Sequence, residues 1–136
     1  MIGVDTNILV RYLTQDDAEQ VRVVDGIIDD AVKNGERLYV DDVVACELVW
    51  VLRGAYRFDK ATIASTLDKI LTTALFSFED RDLLRSALVR YREGNGDFAD
   101  YVIGTRNERA GCDHTITFDR ALGGSDGFSL LRTARR

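Results

Sequence analysis

Five acidic residues stand where a carboxylate could do chemistry. Asp5 closes a short apolar stretch in "MIGVDTNILVRYL", just before a helical pattern begins. Asp119 repeats the move in "TITFDRALGG": Thr115 to Phe118 read as a core strand that runs straight into the acid, and a glycine-rich reversal follows. Glu47 lies within "VVACELVWVL". On a helix its neighbours at i−4, i−3, i+3 and i+4 are Val43, Val44, Trp50 and Val51, all apolar. A carboxylate on a buried apolar face is costly unless it is paired or bound to a metal. Asp97 and Asp100 sit at i and i+3 in "GDFADYVIGT".

Each acid also has a plainer reading. Asp5 and Asp119 can be turn or cap residues. Glu47 can be half of a buried ion pair with an arginine. Asp97 can cap a helix, with Asp100 favoured in its first turn by the helix dipole. Asp100 has less excuse, because it lies beside Tyr101, Val102 and Ile103. Together, Asp5, Glu47, Asp100 and Asp119 would form a cluster of four carboxylates that a cation must neutralise. Their hard oxygens suit Mg²⁺ or Mn²⁺, and such a site holds a phosphodiester for hydrolysis.

The elements that position these acids alternate. A strand is expected at Ile2 to Asp5, then helices at Asn7 to Leu13 and Asp16 to Lys33, the second ended by Asn34-Gly35. Leu38 to Val40 reads as a strand, and Asp42 as the cap of the apolar helix that follows. Asp59 to Thr73 is helical, Leu75 to Phe78 a strand, and Glu79 to Glu93 a helix. Gly94 and Gly96 break the pattern before a helix from Phe98 to Ala110. His114 to Phe118 is a strand, with a last short one at Leu130-Leu131. Alternating strands and helices predict a parallel sheet with helices on both faces. Ligands in such sheets bind beyond the carboxyl ends of the strands. That places Asp5 and Asp119 at one crevice.

Composition bounds the rest. The 136 residues suit one domain, 1–136, with 46% hydrophobic and 30% charged residues, as in a soluble globular protein. No apolar run nears the ~20 residues of a membrane span, and no secretory pattern opens the chain, so a cytoplasmic location without membrane contact is expected. Cys46 and Cys112 lack metal-ligand spacing and have only His114 for company, which argues against zinc and against a disulfide framework. His114 falls within a predicted strand and reads as structural. The net charge of −5 argues against nucleic-acid binding. Two features qualify that. Lys33, Lys60 and Lys69 are the only lysines among the 18 basic residues, leaving 15 arginines, the better phosphate binders. A bound divalent cation would also reverse the sign at the acids.

The order "VDTNILVRYL", "ACELVWVL", then "GNGDFADYVIGTRNERAGCDHTITFD" resembles the PIN-domain ribonucleases, and among them the VapC-type toxins of bacterial toxin–antitoxin pairs. The resemblance covers essentially the whole chain. It implies a three-layer α/β/α sandwich with a central, mainly parallel sheet. It implies a Mg²⁺- or Mn²⁺-dependent endoribonuclease with Asp5, Glu47, Asp100 and Asp119 as catalytic acids. Metal would be held by Asp5, Asp97, Asp100 and Asp119, while Thr6, Asn7 and Thr117 match flanking polar positions that orient carboxylates or water. Gly104-Thr105 stands where small alanines are more usual. The implied products are a 5′-phosphate and a 3′-hydroxyl, with no histidine as general base. The implied substrate is tRNA, rRNA or mRNA; the implied partners are a cognate antitoxin and a second copy in a homodimer. Val21, Val24, Trp50, Ile63 and Leu67 are candidates for an antitoxin groove, with core packing as the competing use.

Arginines would grip the RNA. Arg81, Arg85 and Arg92 recur at helical spacing, Arg106 and Arg109 follow the third acid, and Arg132, Arg135 and Arg136 form a basic tail. Arg85, Arg106 and Arg132 are the candidates for touching RNA; a solvated, salt-bridged surface is the competing reading. Two other functions share acids at strand ends. An acid-pocket phosphatase usually adds a lysine to hold the phosphoryl group, and a Mg²⁺-binding signalling module needs one near the end of a late strand. No lysine follows position 69, which weighs against both.

Overall fold

A computed structural model describes residues 1–133; Arg135 and Arg136, part of the expected basic tail, lie outside the described residues. The chain divides into two compact units, Met1–Arg81 and Asp82–Arg136.

In the first unit, strand β1 (Ile2–Gly3) leads to α1 (Thr6–Thr14), and α2 (Ala18–Asn34) returns to β2 (Leu38–Val40). Helices α3 (Asp42–Gly54) and α4 (Lys60–Thr72) precede β3 (Phe76–Phe78). The strands form a parallel sheet in the order β1-β2-β3, with Gly3 opposite Tyr39 and Val40 opposite Phe78. Aspartate starts every helix here: Asp5, Asp17, Asp41 and Asp59 accept backbone N–H bonds at the N-termini of α1 to α4. Each satisfies amides that the helix cannot satisfy itself. The cap of α3 is Asp41, not the expected Asp42, because Asp41 keeps the extended backbone a cap needs and Asp42 is already helical. Leu9, Val10, Leu48, Leu52, Ile63 and Leu67 are among the core residues.

A polar knot ties the α1–α2 corner to the α3–α4 loop. Arg11 Nη1 donates to Asp16 Oδ1 at 2.9 Å and to Tyr56 Oη at 3.1 Å, while Tyr56 Oη donates to Asp16 Oδ2 at 2.7 Å. Hydrogen bonds from Tyr56 and Thr14 hold the Asp16 carboxyl below its ordinary range. Arg81 belongs to the frame as well. It donates to the Leu71 and Phe76 carbonyls and lies 4.7 Å over the Phe78 ring. Its expected place in an RNA-gripping row gives way to this anchoring.

Helix α5 (Arg81–Glu93) carries the chain into the second unit, followed by α6 (Phe98–Arg109), β4 (Thr115–Thr117), a 3₁₀ turn (Arg120–Leu122) and β5 (Phe128–Leu130). Strands β4 and β5 pair in parallel, with Thr117 opposite Leu130. Tyr91 of α5 meets Phe98 of α6 edge-on at 6.0 Å, and Arg90 bonds both Glu108 oxygens at 2.8 and 2.9 Å. Strand β4 differs from the expected core strand: Ile116 and Phe118 are 61% and 65% exposed. His114 lies just before β4 and is exposed, rather than within it.

Candidate active site

In the first unit, parallel pairing aligns the carboxyl ends of β1 and β2. Val4 N donates to Tyr39 O at 3.0 Å, so Asp5 and Asp41 leave adjacent strands at matching positions. Asp5 Oδ1 accepts the Ile8 N–H at 3.4 Å; its Oδ2 accepts no hydrogen bond among the described residues. Thr6 and Asn7 open α1 directly after it. Asp41 Oδ1 accepts Val43 N at 2.7 Å. Sequence reasoning passed over Asp41, although it stands immediately after a strand as Asp5 and Asp119 nearly do.

Glu47 overturns an expectation. It is exposed and makes no ion pair or hydrogen bond among the described residues, so it is neither on a buried face nor in a buried pair. Helix α3 is apolar on every side, and it is Ala45, Leu48, Val49 and Leu52 that face the core. Val43 and Trp50 stay exposed on the same side as Glu47. Of the residues considered for a groove, Val24, Ile63 and Leu67 are spent in the core, while Trp50 is 51% exposed.

In the second unit, Asp97 and Asp100 form a reciprocal capping box at the N-terminus of α6, in which Asp97 N donates to Asp100 Oδ2 at 2.8 Å. Asp100 therefore has the structural excuse its neighbours did not suggest. Asp119 follows β4, caps the 3₁₀ turn through Ala121 N at 2.9 Å, and donates its own N–H to Thr117 Oγ1 at 3.0 Å. Its Oδ2 accepts no hydrogen bond among the described residues. A side chain at Gly96 would press on both Leu122 of that turn and Asp100 Oδ2, so the acids of α6 and the turn capped by Asp119 share one end of this unit.

Carboxylate oxygens are the donor type that a hard divalent cation takes, and in each unit one strand-end acid, Asp5 or Asp119, keeps an oxygen that accepts no hydrogen bond among the described residues. Within either unit, among the described residues, no three His, Cys, Asp or Glu side chains come together as a metal cluster.

A groove of about 870 Å³ is lined by Phe118 and Arg120, the chain neighbours of Asp119, together with Leu130, Leu131, Arg132 and Thr133. Neither Arg120 nor Arg132 makes an ion pair among the described residues. Arg85 and Arg106 are exposed on α5 and α6.

The sequence pattern of the PIN domain matches residues 2–123. The chain belongs to the PIN-domain family. The parallel pairing of both sheets accords with the mainly parallel α/β fold of that assignment. The PIN match runs from β1 through the turn capped by Asp119 and so takes in all five acids. This PIN-domain chain is also 27% identical over 116 residues to a VapC ribonuclease of Aquifex aeolicus (strain VF5), a match covering 85% of each protein. No helix among the described residues is long and apolar enough to cross a membrane.

Proposed function

We propose that this PIN-domain chain is a metal-dependent endoribonuclease and the toxin of a toxin–antitoxin pair. The observation that carries the reading is the station of Asp5 and Asp119 just past parallel strands, each held by its own cap with one oxygen left over. The likeness to a VapC ribonuclease supports RNA as the substrate class.

By the resemblance to the PIN-domain ribonucleases, Asp5, Asp97, Asp100 and Asp119 are the residues that would hold Mg²⁺ or Mn²⁺, and Asp5, Glu47, Asp100 and Asp119 the catalytic acids. When bound, the ion supplies Lewis-acid polarisation of the phosphodiester and a more acidic water. The chain's own part is orientation. Thr117 fixes the Asp119 backbone, and the capping box fixes Asp100. Arg120 and Arg132 offer charge to phosphate oxygens, and Phe118 offers a face to an unstacked base. Water attacks phosphorus in line and the 3′ oxygen departs, leaving a 5′-phosphate and a 3′-hydroxyl. The exposed apolar side chains Val43 and Trp50 suit burial by a protein partner, either the antitoxin or a second copy of the chain.

The test is to incubate the chain with pooled tRNA and rRNA in Mg²⁺, in Mn²⁺ and in EDTA, beside Asp5→Asn. Cleavage at a few sites that needs metal and is absent from the variant supports the proposal. Equal cleavage by wild type and variant, or cleavage that survives EDTA, refutes it.

A further inference from the structure

The loop "GNGD", residues 94–97, joins α5 to α6. Neither Gly94 nor Gly96 has a positive φ, so backbone freedom is not what requires glycine. Room is. A Cβ on Gly94 would collide with the Tyr101 hydroxyl and come within 2.8 Å of its Cζ. A Cβ on Gly96 would collide with Leu122 Cδ2 and stand 3.1 Å from Tyr101 Oη and 3.2 Å from Asp100 Oδ2.

The two amides that follow are held from the first turn of α6. Gly96 N donates to Tyr101 Oη at 2.9 Å, and Asp97 N donates to Asp100 Oδ2 at 2.8 Å. Tyr101 is 1% exposed, and its ring meets Phe128 edge-on at 6.2 Å. Phe128 lies on β5 opposite Thr115 of β4, the strand that precedes Asp119. Leu122, pressed on Gly96, belongs to the turn that Asp119 caps. A line of contacts therefore runs from the Asp97–Asp100 capping box along the loop to Gly96 and Tyr101, and on to Phe128 of β5 and to Leu122 of the turn that Asp119 caps.

We propose that Tyr101 and Gly96 are positioning residues, which set where the Asp100 carboxylate stands relative to Asp119. The catalytic consequence rests on the ribonuclease reading; the structural consequence does not. With its hydroxyl bonded to Gly96, Tyr101 seats the loop, and the loop presents the Asp97 amide that orients Asp100. Loss of such an orienting contact typically costs tenfold or more in activity.

The experiment compares Tyr101→Phe with the unaltered full chain by amide hydrogen exchange, thermal melting and RNA cleavage kinetics in Mg²⁺. Faster exchange at Gly96 and Asp97 is expected, with the rest of α6 unchanged and melting little altered. A fall of about tenfold in kcat at constant KM is expected alongside. Unchanged kcat in an active preparation overturns the proposal. So does a loss of kcat that merely tracks a lowered melting temperature, which marks a general structural role. Gly94→Ala supplies a second line: it should cost kcat less in the Tyr101→Phe background, where the hydroxyl it meets is gone, and an equal cost in both backgrounds counts against the contact. If the unaltered chain cuts no RNA, the ribonuclease reading fails separately. Exchange alone then decides, and unchanged exchange at Asp97 overturns the positioning.

Discussion

Gly104→Ala sets two opposing terms against each other at a single atom. In a helix interior, alanine is favoured over glycine by about 0.8–1 kcal/mol. Position 104 is buried in α6, and a Cβ there would stand 2.6 Å from Phe128 Cζ and 2.9 Å from Cε2. Ordinary carbon contacts lie near 3.5–4.0 Å, so the ring must retreat by close to an ångström. It cannot do so freely, because Phe128 is paired within β5 and its ring packs on Tyr101. Overpacking of this kind costs about 1–3 kcal/mol. The balance is a net loss of about 1 kcal/mol, or a fall of ~4 °C in melting temperature for a chain of this size. Phe128→Ala removes the obstacle, so in that background Gly104→Ala should stabilise by about 1 kcal/mol, from propensity alone. The reversal of sign makes a coupling of about 2 kcal/mol. Urea unfolding of all four proteins, followed by circular dichroism, measures it. A Gly104→Ala protein more stable than the parent, or an equal effect in both backgrounds, refutes the argument. The same geometry explains why glycine stands where related sequences were expected to carry alanine: the ring of Phe128 occupies the space.

Three further outcomes are expected. Glu47→Gln should alter stability by no more than about 0.5 kcal/mol, as for an exposed unpaired side chain; a loss of about 3–5 kcal/mol in urea unfolding would instead mark a buried ion pair. The Asp16 carboxyl, lowered chiefly by the Tyr56 hydroxyl, favours the folded state above the unfolded aspartate value of about 3.9 and loses that contribution as pH falls through its lower folded value. Acid unfolding should therefore show a larger loss below about pH 4 for the parent than for Tyr56→Phe, and identical profiles would count against the knot. Cys46 is pushed up to about 11 by burial and by Asp42 and Asp41, whereas Cys112 is exposed. At pH 8 a thiol reagent should label Cys112 promptly and reach Cys46 only in denaturant; two fast thiols would show that α3 opens readily.

Much of the frame is local and therefore legible in the residues. Helices α2 and α4 begin at Asp17 and Asp59 and α2 ends at Gly35, because caps act within one turn and need no distant partner. The stations of Asp5 and Asp119 just past strands are equally local, as is the alternation that predicts parallel pairing. What periodicity could not choose was the buried side of α3: with apolar residues all round, the side covered depends on what packs against it, and Glu47 fell on the exposed one. Strand β4 has the same ambiguity. Its residues read as core, yet Ile116 is exposed, as is Phe118 just beyond the strand, because burial is a property of neighbours rather than of the strand. Asp100 shows the third kind of gap. Its spacing from Asp97 was visible, but the reciprocal box and the hydroxyl of Tyr101 seating the loop beside it exist only once Gly94 and Gly96 leave room for them. Residue type and spacing determined which carboxylates could do chemistry. Tertiary packing decided how each is held, because orientation is set by contacts between residues that the chain keeps apart.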